Sequence, residues 1–164
     1  MRHSVISPDG TTIAFTYKGD IYTVPVAGGR AMQITTNPAY DTAPVWSPDS
    51  KRIAFASDRM GSLDVYIVAK DGGEPRRLTT HSGSETPLAF TDAGHVLFSA
   101  GIMPSAEAVV FPSNGQFNQV YRVSVEGGRP TMISSMPMEC ISINKEGAML
   151  YQDKKGYEDY WRKH

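Results

Sequence analysis

The 164-residue sequence contains one cysteine, Cys140, which excludes an intramolecular disulfide framework and a thiolate-rich metal site. No run approaches the roughly 18 apolar residues that cross a bilayer as a helix. The opening stretch Met1-Arg2-His3-Ser4-Val5-Ile6 holds no apolar signal core and already reads as a strand, so something upstream is expected to be missing. An excess of one charge is also absent: 16 Lys and Arg against 17 Asp and Glu leave a net −1, so no basic field argues for nucleic acid or an anionic membrane as partner. Four scattered histidines give no pair at ligand spacing, and neither a nucleophile elbow, a His-Glu-x-x-His helix nor a phosphate-cradling loop occurs. No metal, cofactor or catalytic residue is therefore expected in this chain. His81 with Ser82, Ser84 and Glu85 resembles a triad in composition only, because neighbours on one short loop rarely reach nucleophile-to-base geometry.

What is plentiful is turn chemistry, 15 Gly and 11 Pro, and it recurs in order. Ser7-Pro8-Asp9-Gly10 precedes Ile13-Ala14-Phe15, Asp20-Ile21-Tyr22, Gly28-Gly29 and Ile34-Thr35. Ser47-Pro48-Asp49-Ser50 precedes Ile53-Ala54-Phe55, Asp64-Val65-Tyr66, Gly72-Gly73 and Leu78-Thr79. A third copy runs from Thr91-Asp92-Ala93-Gly94 through Val96-Leu97-Phe98, Gln119-Val120-Tyr121 and Gly127-Gly128 to Ile133-Ser134. A fourth begins with Asn144-Lys145-Glu146-Gly147 and Met149-Leu150-Tyr151.

In all three full copies the tyrosine stands six residues before the first glycine and twelve before the following Ile or Leu. Six residues carry a short strand to its turn, and paired glycines supply the positive φ of a tight hairpin. Pro presets φ in the Ser-Pro-Asp-Gly turn, Asp bonds nearby backbone, and Gly adopts the left-handed region; Ser50 takes that place in the second copy at a small cost. Nearly continuous apolar runs such as Val65-Tyr66-Ile67-Val68 suit strands covered on both faces. The sequence therefore predicts an all-β chain, a β-propeller of four-stranded antiparallel blades in an incomplete ring of about three and a half blades. Blade 1 spans about 4–36, blade 2 about 43–80, blade 3 about 86–135 with an insertion at 100–118, and a partial blade 4 about 139–164. A two-sheet sandwich is the competitor, but it would not require fixed offsets between these marks.

These marks resemble the propeller repeats of TolB and the tricorn-type peptidases. Asn37-Pro38-Ala39-Tyr40-Asp41, Ser57-Asp58-Arg59, Leu78-Thr79-Thr80-His81-Ser82 and Tyr151-Gln152-Asp153-Lys154-Lys155-Gly156-Tyr157-Glu158 are most similar to the N-terminal propeller of bacterial tricorn-like serine peptidases. The resemblance implies a non-catalytic segment that binds or gates peptide for downstream catalytic domains. The alternative is a TolB-like protein-interaction module. It also implies a periplasmic or secreted parent. An uncovered blade face hiding on the order of 500 Å² of apolar surface forfeits about 12 kcal/mol. Three arrangements would cover it: remaining blades of a longer chain, a second copy, or a small four-bladed ring finished by the chain's own termini. The expected partners are thus a peptide or protein, further domains, or another copy.

Two sets of residues are candidates for binding. Asp41, Glu85 and Glu139 each stand five or six residues after Thr35, Thr79 or Ser134, on the loop entering the next innermost strand. Together they would ring one pore mouth with negative potential, unless each only satisfies donors in its own loop. The Phe-to-Tyr interval is 7, 11 and 23 residues in successive copies. The third-copy insertion carries Met103, Val109, Val110, Phe111 and Phe117, the composition of a docking loop or of one packed on its own blade. Tyr22, Tyr66, Tyr121 and Trp46 are read as fillers between blades, Asp20 and Asp64 as hydrogen-bonding groups at turns, and Asp58-Arg59 as a local ion pair.

Overall fold

Four antiparallel sheets succeed one another in the computed structural model, which describes residues 2–81, 83–101, 118–135, 138–144 and 148–153. Blade 1 comprises β1 (Arg2–Ile6), β2 (Thr12–Tyr17), β3 (Asp20–Pro25) and β4 (Met32–Gln33). Blade 2 comprises β5 (Asp41–Trp46), β6 (Arg52–Ser57), β7 (Asp64–Ala69) and β8 (Arg76–Arg77). Blade 3 comprises β9 (Glu85–Asp92), β10 (His95–Ala100), β11 (Gln119–Ser124) and β12 (Thr131–Ser134). A two-stranded sheet of β13 (Met138–Ile143) and β14 (Met149–Asp153) follows, and strands pair in chain order within every sheet. No helix occurs among the described residues.

The sequence marks have concrete duties. In the first turn the Ser7 hydroxyl donates to Asp9 at 2.5 Å while the Thr11 N–H donates to the same carboxylate. These bonds hold the Asp9 carboxyl down at about 2, the Ser7 bond being the larger cause. Ser47, Asp49 and Lys51 repeat the arrangement in blade 2. Phe and Tyr of each repeat lie directly opposite on adjacent strands and stack, at 5.8 Å for Phe15–Tyr22, 5.9 Å for Phe55–Tyr66 and 5.7 Å for Phe98–Tyr121. The threonine of the Ile/Leu-Thr mark turns inward, its hydroxyl accepting the Ile21 N–H from Thr35 and the Val65 N–H from Thr79. That inward turn is why β8 ends at Arg77.

Because successive side chains in a strand face opposite ways, blade 2 contributes to two cores. Trp46, Ile53, Phe55, Tyr66 and Val68 pack with Ala14, Ile21 and Ile34 of blade 1. Ala54, Val65, Ile67 and Leu78 pack with Phe90, Val96, Phe98, Tyr121 and Val123 of blade 3. Tyr66, Tyr121 and Trp46 thus fill the spaces between blades. The blades stand face to face as an open ring, β1 against β5, β5 against β9 and β9 against β13. On the next face in the series Leu150 is 76% exposed, with no described strand packed on it, whereas its counterparts Ala14, Ala54 and Leu97 are 0% exposed.

Ser50 holds φ +58° where the first copy has Gly10 at +72°. Its hydroxyl accepts the Asp9 N–H at 3.1 Å, tying the blade 2 turn to the blade 1 turn. Ser50→Ala keeps the backbone cost and loses the bond, so it should destabilise by about 1 kcal/mol. Ser50→Gly loses the bond but relieves the backbone, and should be neutral within about 0.5 kcal/mol. Urea melts of the two variants check that order.

Candidate functional site

The four innermost strands, β1, β5, β9 and β13, converge on one cavity of about 840 Å³. Its wall is built from the strand ends nearest the Ser-Pro-Asp turns: Val5 and Ile6, Val45 and Trp46, Leu88 to Asp92, and Ile141 to Asn144, with Pro8 and Pro48 at the rim. All four innermost strands are irregular in register, two of them with a residue at positive φ, His3 and Ala43. Such bulges bend a strand and re-aim its side chains. Trp46 is anchored by its indole N–H, which donates to the Val5 carbonyl at 3.2 Å across the blade junction. The lining is largely apolar and includes no basic side chain. Its one carboxylate, Asp92, pairs with His95 at 3.0 Å. That partner and the Gly94 N–H help keep the Asp92 carboxyl below its usual range, against a larger opposing effect of burial.

Asp41 and Glu85 start β5 and β9, at the opposite ends of these strands, roughly 10–13 Å along the strand from the nearest wall residues Leu88 and Val45 at about 3.3 Å per residue. Both are fully buried, so neither presents a carboxylate to solvent. Asp41 receives Arg59 Nη2 on both oxygens at 3.1 Å. The same guanidinium stacks 4.5 Å over Tyr66 and 5.6 Å over Phe55. The local Asp58–Arg59 ion pair expected from sequence does not form: Arg59 is drawn to the buried Asp41, and Asp58 accepts the Tyr40 N–H at 2.7 Å.

Glu85 has no such cation. No hydrogen bond of ordinary geometry reaches either of its oxygens. Burial, with the nearby Asp64 charge adding to it, pushes its carboxyl up to about 7, against the smaller opposing effects of the Thr79 hydroxyl and Arg77. Asp64, also fully buried, pairs with Arg77 at 2.8 Å. In blade 1 Asp20 accepts Gln33 Nε2 at 3.1 Å, and burial followed by the Asp41 charge raises its carboxyl. Asp20 and Asp64 are therefore bonded within their own blades to the outermost strand, while Asp41 and Glu85 donate their N–H groups to Gly19 and Leu63 of the preceding blade.

Glu139 occupies the corresponding stretch of β13, opposite Gln152, and its side chain is outside the described residues. Met103, Val110, Phe111 and Phe117 also lie outside them. The insertion leaves and rejoins the blade at Ala100 and Gln119, which pair with each other, and Ala100 also pairs with Glu85. His81 Nδ1 accepts the Gly83 N–H at 3.0 Å, so this ring nitrogen serves its own loop. No group of three or more His, Cys, Asp or Glu is placed to hold a metal ion among the described residues, and no helix there is long and apolar enough to cross a membrane.

Sequence reasoning missed the cavity wall. The signal was present in the apolar residues just before each Ser-Pro-Asp turn, Val5-Ile6 and Val45-Trp46, which end the innermost strands.

Face-packed, four-stranded blades around a common cavity define a β-propeller of the repeat class shared by TolB and the tricorn peptidases. The Tricorn protease N-terminal beta propeller domain matches this sequence over residues 1–164, and the chain belongs to that family. It is 36% identical over 91 residues to Tricorn protease homolog 1 of Streptomyces coelicolor, an overlap of 55% of this chain and 8% of that protein. It is 32% identical over 108 residues to the uncharacterized peptidase YuxL of Bacillus subtilis, covering 58% of this chain and 16% of that one. The structure of a TolB from Agrobacterium tumefaciens superposes with a TM-score of 0.71 at 25% identity, over 96% of this chain and 56% of that chain. The chain thus spans a small part of the peptidase relatives and just over half of the TolB chain.

Proposed function

We propose that this chain is the peptide-binding propeller segment of a larger tricorn-like serine peptidase, admitting or positioning unfolded substrate for catalytic domains elsewhere. The observation that carries this reading is the axial cavity. Its apolar wall, lacking cations and anchored by Trp46, suits apolar side chains of an extended peptide. A role in binding rather than cutting fits His81, whose Nδ1 is occupied by its own loop. On this reading the parent works in the periplasm or outside the cell, and its remaining blades cover the face around Leu150, which is exposed here.

A second reading, a TolB-like module that captures one folded protein, is favoured by the 96% coverage of this chain in the TolB superposition. Incubating the full chain with a mixture of unfolded peptides separates the two. Retention of peptides without new cleavage products supports the first reading. Indifference to peptides combined with capture of a single folded protein supports the second. Cleavage would contradict both.

A further inference from the structure

Among the described residues, the wall of the axial cavity is built by innermost strands alone. β1, β5, β9 and β13 each stand at the end of their sheet, hydrogen-bonded on one side only, and every wall residue belongs to one of them or to the turn that follows it. A strand that shows one face to a cavity lines it with every second residue. β9 instead lines it with Leu88, Ala89, Phe90, Thr91 and Asp92 in succession. The free edge of β9, with its main-chain N–H and C=O groups, therefore borders the cavity.

Two observations single out β9. It is the longest of the four, 8 residues against 5 or 6. It also carries two register irregularities where the others carry one each, and at these Leu88 and Thr91 have no partner residue on β10. Both belong to the cavity wall, and a bulged residue is left unpaired in its own ladder. The edge of β1 is less open, since its Val5 carbonyl already accepts the Trp46 indole N–H.

β5 and β13 both pack against β9 and flank this edge with hydrocarbon, Val45 and Trp46 from the first, Ile141 and Ile143 from the second. Successive side chains of an added strand point to opposite faces, and here each face meets an apolar flank. Asp92, the one carboxylate, is already engaged by the Gly94 N–H and by His95.

We propose that the cavity binds a run of about five consecutive apolar residues in extended form, hydrogen-bonded as an added strand along the free edge of β9. Main-chain bonds give the affinity, and the two flanks select stretches that a folded protein buries. The inference rests on the peptide-binding reading of the chain and names the class of segment it takes.

The probe is a capped peptide with the run Val-Leu-Phe-Val-Leu between paired lysines, titrated calorimetrically into the full chain. Two copies, with serine at one or the other alternate set of the run, should each bind at least tenfold more weakly. N-methylation scanned along the run should weaken binding about tenfold at every second residue and by less than about threefold between them, the alternation of a strand bonded along one edge. Hydrogen exchange should show the β9 amides gaining protection from the peptide. A flat N-methyl profile, or full affinity in either serine copy, overturns the proposal and leaves the peptide-binding reading standing. Absence of binding at about 1 mM overturns both. Equal protection of β9 with and without peptide would show the edge occupied by the chain itself, and would also overturn the proposal.

Discussion

Arg59→Ala should destabilise the chain by about 3–5 kcal/mol at neutral pH, the cost typical of stripping one partner from a buried ion pair. Asp41 is fully buried and takes both its bonds from that guanidinium, so the variant leaves a carboxylate in the interior without a counter-charge. It also removes the cation from above Tyr66 and Phe55, the two rings that face blade 1. The loss would therefore spread to the junction between blades. The double variant Asp41→Leu, Arg59→Met tests the electrostatic part: with both charges gone and similar volumes kept, stability should return to within about 2 kcal/mol of the parent. Urea unfolding of the single and double variants provides the comparison. A loss below about 1 kcal/mol for Arg59→Ala would show that the pair is not structurally important.

The counterpart in the next junction should behave in the opposite sense. The Glu85 carboxyl is raised from 4.5 to about 7 by the fold. Below pH 4.5 it is protonated in both folded and unfolded chains and makes no difference to stability. As pH rises, the unfolded chain ionises first, so stability falls between about 4.5 and 7 and then stays low. The shift corresponds to about 3 kcal/mol. Glu85→Gln keeps the size, removes the ionisation, and should be close to neutral at pH 4 while gaining up to about 3 kcal/mol at pH 8. Thermal melts of both proteins across this range read the difference directly. A constant gap at all pH values would mean that Glu85 ionises freely in the folded chain.

These two acids mark how far the sequence could be read. The blade architecture was legible because its determinants are local and repeat: the Ser-Pro-Asp turn is closed by its own side chains, and tyrosine and phenylalanine are brought opposite each other by hairpin register. The common position of Asp41 and Glu85 was legible too, as an offset from Thr35 and Thr79. Their burial was not, because it depends on neighbours remote in the chain. Asp41 is matched by Arg59 18 residues on, while Glu85 lies in a junction where Asp64 has already taken Arg77. The same distance explains why Asp58 and Arg59, adjacent in sequence, turn to different partners. Trp46 was read as a filler between blades and does pack there, yet it also lines the axial cavity. A strand end can serve both roles once bulges bend it, and a bulge without glycine, as at Ala43, leaves little trace in composition.

The central claim, that the axial cavity receives unfolded peptide without cutting it, is tested most directly by placing a photoreactive benzoylphenylalanine at Leu88, a half-buried residue of the cavity wall. The full chain is irradiated with an unfolded polypeptide and the adduct weighed by intact-mass spectrometry. The account predicts a one-to-one adduct carrying the whole polypeptide, suppressed by excess unlabelled peptide. No adduct from Leu88 while a control on the opposite face at Tyr40 crosslinks, or an adduct carrying only cleaved fragments, would contradict it.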